Sequence, residues 1–135
     1  MKYEITYNDG DGWLTCQISG NIAMEDVDRF AGVAIDFLVK HPGCKSILID
    51  AREASLPLSI MQIWQIPRIL AKLAQQTSRY HDGSFYNTRR AVVVSEDNDS
   101  WRFFETVTRN LGHAVKIFTD LAAAVAWLKE ETPDR

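Results

Sequence analysis

The sequence predicts an α/β domain built on a mostly parallel sheet, and three features carry that prediction. Ala91 to Val94 is an unbroken apolar run rich in β-branched residues, as expected of a strand buried on both faces. Trp101, Phe104, Val107, Thr108 and Leu111 then recur at helical spacing, and Gly112 stands where a left-handed C-cap ends a helix at little cost. Ala114 to Phe118 and Leu121 to Leu128 repeat the order of strand and amphipathic helix. Strands that alternate with helices at this spacing must cross over in parallel, with helices on the faces of the sheet.

The remaining elements follow in chain order. Tyr3 to Tyr7 is a first strand, and Asn8-Asp9-Gly10-Asp11-Gly12 is a turn short enough to make the next strand its antiparallel neighbour. That strand is Trp13 to Gly20, with Leu14, Cys16 and Ile18 alternating against Thr15, Gln17 and Ser19. Met24 to Lys40 reads as a helix whose apolar face is Val27, Phe30, Ala31, Ala34, Phe37 and Leu38. Glu25 and Asp26 favour its first turn and His41-Pro42-Gly43 stops it. Ser46 to Asp50 is the third strand. Pro67 lacks an amide donor, which predicts two pieces of helix, Ser59 to Trp64 and a second starting near Pro67. Gln75 to Thr88 is irregular. The expected architecture is therefore one domain over residues 1–131, with five strands, all parallel but the first, and four helices. Tyr3 to Tyr7 and Ala114 to Phe118 are its edges, and Thr132 to Arg135 a frayed tail.

Composition narrows the function. At 135 residues, 46% hydrophobic and 24% charged, the chain can bury a core without staples. Its net charge of -3 argues against nucleic acid or an anionic membrane surface as the main partner. No apolar run reaches the ~18 residues of a membrane span, and the N-terminus has no export signal, so a cytoplasmic location without integral membrane association is expected. Cys16 and Cys44 fall in separate strand candidates without a close-spaced motif and read as reduced core thiols.

The arrangement, with the strings LIDAREASLPLS (Leu48 to Ser59) and RRAVVVSEDNDSWRFFETVTRNLGHAVKIFTDLAAAVAWL (Arg89 to Leu128), resembles the SpoIIAA-like branch of the STAS (anti-sigma-factor antagonist) superfamily, related in fold to CRAL-TRIO lipid carriers. Asp50 at a strand end, the pair Phe103 and Phe104, and the closing Ala126-Trp127-Leu128 carry the likeness, which covers nearly the whole chain. It implies a mixed five-stranded sheet with four helices. In function it implies a non-catalytic regulatory or binding module, docking a protein partner or a small apolar, lipid-like ligand. In the antagonists a serine after the third strand is phosphorylated, usually in an Asp-Ser-Ser-Gly-like turn. Ser55 and Ser59 are the candidates here, but the tandem motif is absent, and neither is expected to be modified. Ser59 reads rather as a helix N-cap.

Three constellations stand beside that resemblance. Ligands of open α/β sheets bind beyond the carboxyl ends of the strands, which here bring Asp50, Arg52, Ser95 and Asp97. The carboxylates Asp50, Glu96, Asp97 and Asp99 could instead hold Mg²⁺, as in a phospho-receiver or a Mg-dependent enzyme. Gly20-Asn21, however, stands where a receiver's acidic pair belongs, and the bland reading makes these residues helix caps and loop ties. No cofactor and no metal are expected. His41, His81 and His113 read as surface or capping residues; Arg89 and Arg90, next to the aromatics of the loop, suggest an anionic head group but read rather as solvated. The third constellation is Ile60, Met61, Ile63, Trp64, Ile66, Ile69, Leu70 and Leu73, apolar over too wide an arc for one buried stripe. Either the two half-helices turn different faces to one core, or the excess meets a second subunit, a lipid-like ligand or the loop carrying Tyr80 and Tyr86. Between the external occupants a homodimer contact is favoured, because no polar group in the helix is placed to orient a head group.

Overall fold

The computed structural model describes residues 1–8 and 10–130; the expected tail, Thr132 to Arg135, lies outside them. The strands are β1 (Lys2–Asn8), β2 (Trp13–Asn21), β3 (Ser46–Ser55), β4 (Arg89–Val93) and β5 (Val115–Phe118). The helices are α1 (Met24–Lys40), α2 (Ile60–Gln75), α3 (Asp99–Asn110) and α4 (Leu121–Lys129). The strands lie side by side in chain order, with β1 and β5 at the edges. β1 pairs antiparallel with β2, Tyr3 opposite Ile18, and each later pair is parallel. The sequence therefore places every strand in its observed position. This is the α/β, mixed five-stranded architecture with four helices that it implied.

Strand alternation divides the core. Leu14, Cys16 and Ile18 of β2, Ile47 of β3 and Val92 of β4 face α1, α2 and α3, packing against Val27, Leu38, Ile63, Ile66 and Trp101. Trp13, Leu48, Ala91 and Val93 face the other way, against Ala124 and Leu128 of α4. α4 lies over β3, β4 and β5 and reaches Trp13 at the start of β2, which leaves the rest of the outer face of β2 beyond its main contacts. β3 runs past Asp50, where the sequence ends it, through a bulge opposite Gln17 and Ser19 to Ser55. That extra residue lets a strand with the polar pattern Asp50 to Glu53 stay paired while burying Ala51 fully.

The helices carry the main local correction. α2 is continuous through Pro67 rather than two pieces. Its buried face, Ile63, Ile66, Pro67, Ala71 and Ala74, spans both sides of the proline, and packing of that whole face outweighs the one amide hydrogen bond a mid-helix proline removes. In the turn that Pro67 disturbs, the Arg68 guanidinium donates to the Trp64 carbonyl at 2.6 Å. The caps are polar and local. Ser59 Oγ accepts from the Gln62 amide at 3.1 Å while Gln62 Oε1 accepts from the Ser59 amide at 2.9 Å, a reciprocal capping box. α3 is capped by Asn98, not by Asp99 or Ser100, and α4 by Asp120. Gly112 closes α3 with φ +94°, a conformation that only glycine adopts freely. Replacing Ser59 by alanine is expected to cost about 1 kcal/mol in urea unfolding, and Ser59→Asp, which keeps an acceptor at the helix N-terminus, should cost less than half of that.

Two further expectations change. Cys44 lies in the loop ahead of β3 rather than in a strand, though it and Cys16 are both free and fully buried. Arg89 and Arg90 are not solvated. Alternation sends them to opposite faces. Arg89 donates to the carbonyls of Trp127 at 2.6 Å and Glu130 at 3.0 Å, closing the C-terminus of α4, and Arg90 enters the core under α2 and α3.

Candidate functional site

The carboxyl ends of the strands do not assemble a cation site. Asp50 is engaged by its neighbour: Arg52 donates Nε to Oδ1 at 2.9 Å and Nη2 to Oδ2 at 2.8 Å, and the Arg52 amide adds a third bond to Oδ1. The Arg52 side chain is the main reason the Asp50 carboxyl is held below its usual range. Asp97 pairs with Arg102 at 2.5 Å, and Ser95 is exposed in the same loop. Among the described residues no group of three or more His, Cys, Asp or Glu is placed to hold a metal ion. Asp50 and Arg52 belong instead to a wide polar concavity of about 710 Å³ over β1 to β3, shared with Lys2, Glu4, Gln17 and Ser19. Ser55 is separate from it, its hydroxyl donating to Asn21 Oδ1 at 2.5 Å and tying the end of β3 to that of β2.

On α2 the apolar excess resolves into two surfaces. Ile60, Met61 and Trp64 point outward, 68%, 64% and 41% exposed, with the Arg68 guanidinium stacked on the Trp64 ring at 3.3 Å. Ile66 and Leu70 point inward and border a partly open apolar pocket of about 120 Å³ in the main core, walled also by Ile18, Ile35, Trp101 and Phe104. The wall is aliphatic and aromatic; Asp26 of α1 and Arg90 of β4 also belong to it, but no polar surface of either opens into it.

Arg90 sits in a buried polar centre that the sequence did not reveal. Its Nε donates to the Thr88 carbonyl at 3.1 Å, and Nη2 to His113 Nδ1 at 2.6 Å and the Phe85 carbonyl at 3.4 Å. The guanidinium carbon stands 4.4 Å from the Phe85 ring centroid. His113, expected at the surface, is only 4% exposed; Tyr86 tilts over its ring at 4.3 Å, with Phe85 edge-on at 6.4 Å. Burial, and then the charge of Arg90, push the imidazole down to about 3, so it is neutral and can accept from the guanidinium. Tyr80 is buried as well, edge-on to Phe85 at 5.2 Å. The loop that carries Tyr80, Phe85 and Tyr86 thus packs into the core. Sequence reasoning had one usable signal for Arg90: positions 90, 92 and 94 share a strand face, and the other two are Val92 and Val94.

The thiols offer no nucleophile. Burial, with a smaller contribution from Cys44, pushes Cys16 up to about 12, and burial also raises Cys44, so both remain protonated.

No protein-family model and no curated protein matches the sequence. Solved structures do. An uncharacterized protein of the DUF3478 family with a SpoIIAA-like fold, from Shewanella loihica PV-4, superposes with a TM-score of 0.55 at 22% identity, covering 94% of this chain and 92% of that one. The anti-sigma factor antagonist SpoIIAA in its unphosphorylated form superposes with a TM-score of 0.53 at 10% identity, covering 96% and 100%. The fold is SpoIIAA-like. At these identities the likeness establishes the SpoIIAA-like architecture alone, and the site must speak for the function. No helix among the described residues is long and apolar enough to cross a membrane.

Proposed function

We propose that this chain is a non-catalytic binding module whose ligand is a small apolar molecule held in the core cavity beneath α1 and α2. The cavity is the observation that carries the reading. Its volume, about 120 Å³, approaches the roughly 150 Å³ of an engineered core cavity that takes benzene. A ligand of matching shape would take this apolar surface out of water. Titration with benzene, toluene and 1-butanol, followed by the fluorescence of Trp101 in the cavity wall and by melting temperature, tests it. A saturable response that raises the melting temperature is expected, and Ala34→Leu, which fills the cavity, should abolish it with the circular dichroism unchanged. No saturable response to any of the probes would reject the reading.

A second reading, docking of a protein partner, draws on a different observation: Ile60, Met61 and Trp64 expose their side chains on successive turns at the start of α2. The architecture shared with an anti-sigma factor antagonist supports it. If the partner is a second copy, light scattering should show a dimer that Trp64→Glu converts to monomer.

A further inference from the structure

We propose that two copies of this chain join along the outer edge of β1, which pairs antiparallel with its own image about a two-fold axis at Ile5. The two sheets then run on as one. The first observation is the edge itself. β1 ends the sheet, and no strand of the described residues lies on its far side. Every second residue of an edge strand turns its amide and carbonyl outward, where another strand can pair with them. Edges are usually blunted by shortness, proline, a bulge or a charge on the packed face. β1 has none of these. It runs for seven residues without proline, and its register with β2 is unbroken from Lys2 to Asn8. Its charges, Lys2 and Glu4, alternate with the residues that pack on α1 and so stand on the opposite face.

The second observation is an apolar seam beside that edge. Tyr3, Ile5 and Tyr7 face the helix layer but are only half-buried, because the sheet stops at β1. Phe30 stands edge-on to Tyr3 at 5.3 Å and Phe37 to Tyr7 at 5.9 Å, so α1 runs along β1 in the same direction. Both phenylalanines are half-buried as well. Val33, near the midpoint between them, is 41% exposed.

Symmetry points to a second copy as the occupant of this seam. Turned about Ile5, all seven residues of β1 pair at once. Ile5 meets Ile5, Tyr3 meets Tyr7 on the helix side, and Glu4 meets Thr6 on the other, so no like charges are opposed. The axis leaves both α1 helices on one face of the joined sheet. Each covers β1 and β2. They therefore stand two strand spacings apart, ~10 Å, a distance at which helices pack. Val33 then lies near the axis. Arg29, a turn before it, comes alongside Asp36 of the second copy, a turn after, and the reverse holds on the other side. Both side chains are exposed, 61% and 62%, and form ion pairs only along their own helix, with Asp26 and Lys40. Opposite charges thus meet across the axis, a match that a foreign strand would have no reason to share.

Sedimentation of the full chain at micromolar concentrations should show a dimer. Val33→Arg sets two cations against each other near the axis, at a position the fold leaves exposed. It should weaken the dimer about a hundredfold or more and leave the circular dichroism unchanged. Trp64→Glu, on α2, should leave the dimer intact. Cross-linking reads the register: Glu4→Cys mixed with Thr6→Cys should oxidise to a linked dimer about tenfold faster than either variant alone, because Glu4 lies opposite Thr6 and only diagonal to its own image. The native thiols are buried and do not compete. A monomer throughout that range would overturn the proposal. So would a dimer that Val33→Arg spares or that Trp64→Glu separates, the latter placing the contact on α2. Equal cross-linking rates for the mixture and the single variants would overturn the pairing about Ile5.

Discussion

Arg79→Ala is expected to destabilise the protein by about 3 kcal/mol, lowering the melting temperature by about 10 °C. Arg79 lies in the irregular stretch between α2 and β4, yet its guanidinium reaches back to the end of α1. Nη1 donates to the carbonyls of Leu38 and His41, and Nη2 to those of Pro42 at 3.2 Å and Cys44 at 2.8 Å. Helix C-termini leave carbonyls without intrahelical partners, and this one cation answers them together with the loop that leads into β3. Leu38 and Cys44 are fully buried, so water cannot simply take the guanidinium's place. Arg79→Lys should recover less than half of the loss, because an ammonium cannot span four acceptors with a planar fork. Urea unfolding with an unchanged m-value would assign the loss to the folded state. A loss under about 1 kcal/mol would mean that the clamp is only a surface contact.

Arg79 also shows where sequence reasoning stops. Periodicity and caps are local properties, and they placed α1, β5 and the strand order because neighbours in the chain settle those features. α1 matches residue for residue, Met24–Lys40, since Glu25 and Asp26 mark its start and Pro42 its stop. The predicted break at Pro67 failed because a local rule met a non-local gain. Ile63 and Ile66 before the proline and Ala71 and Ala74 after it share one buried face, and this keeps the helix continuous through the fault. Likewise Asp50 looked like a strand end because its polar neighbours suggest a loop. The bulge that keeps β3 paired to Ser55 depends on β2 and leaves no trace in β3 alone.

The candidate site was less legible than the fold. Asp50, Arg52, Ser95 and Asp97 drew attention as chemistry-bearing residues at strand ends. The first two satisfy each other, and Asp97 is taken by Arg102. The cavity gathers residues from four elements, Ile35 of α1, Ile66 of α2, Arg90 of β4 and Trp101 of α3, and no spacing in a linear chain marks such a meeting. His113 misled for a similar reason. A histidine after a glycine cap ordinarily lies at the surface. Here the turn from α3 to β5 passes under Tyr86, whose carbonyl accepts from the Ala114 amide at 2.9 Å and draws His113 inward.

His113 should also dominate the acid sensitivity of the fold. Its imidazole is pushed from 6.5 to about 3 by burial and by Arg90. The ring is faced by Arg90, Phe85 and Tyr86, with the Pro67 backbone at its far nitrogen, and none of these carries a negative charge near neutrality. Below pH 6.5 the unfolded chain binds a proton that the folded chain refuses until about pH 3. Protons bound to the unfolded state exceed those bound to the native one, so stability rises with pH across that window and is lost as pH falls through it. The full slope of one such group is about 1.4 kcal/mol per pH unit. Asp26 and Asp50, both held below the ordinary carboxylate value of 3.8, act in the same direction, but only near and below that value. The upper part of the window therefore reports His113. Urea unfolding at half-unit steps from neutrality into acid should show the slope beginning about one unit above the carboxylate range. His113→Asn, which keeps an acceptor for Arg90 Nη2 and cannot titrate, should flatten it, leaving only the later fall due to the carboxylates. An equal slope in wild type and His113→Asn would show that the imidazole takes up its proton without unfolding, and that the Arg90 centre yields to charge more readily than its burial implies.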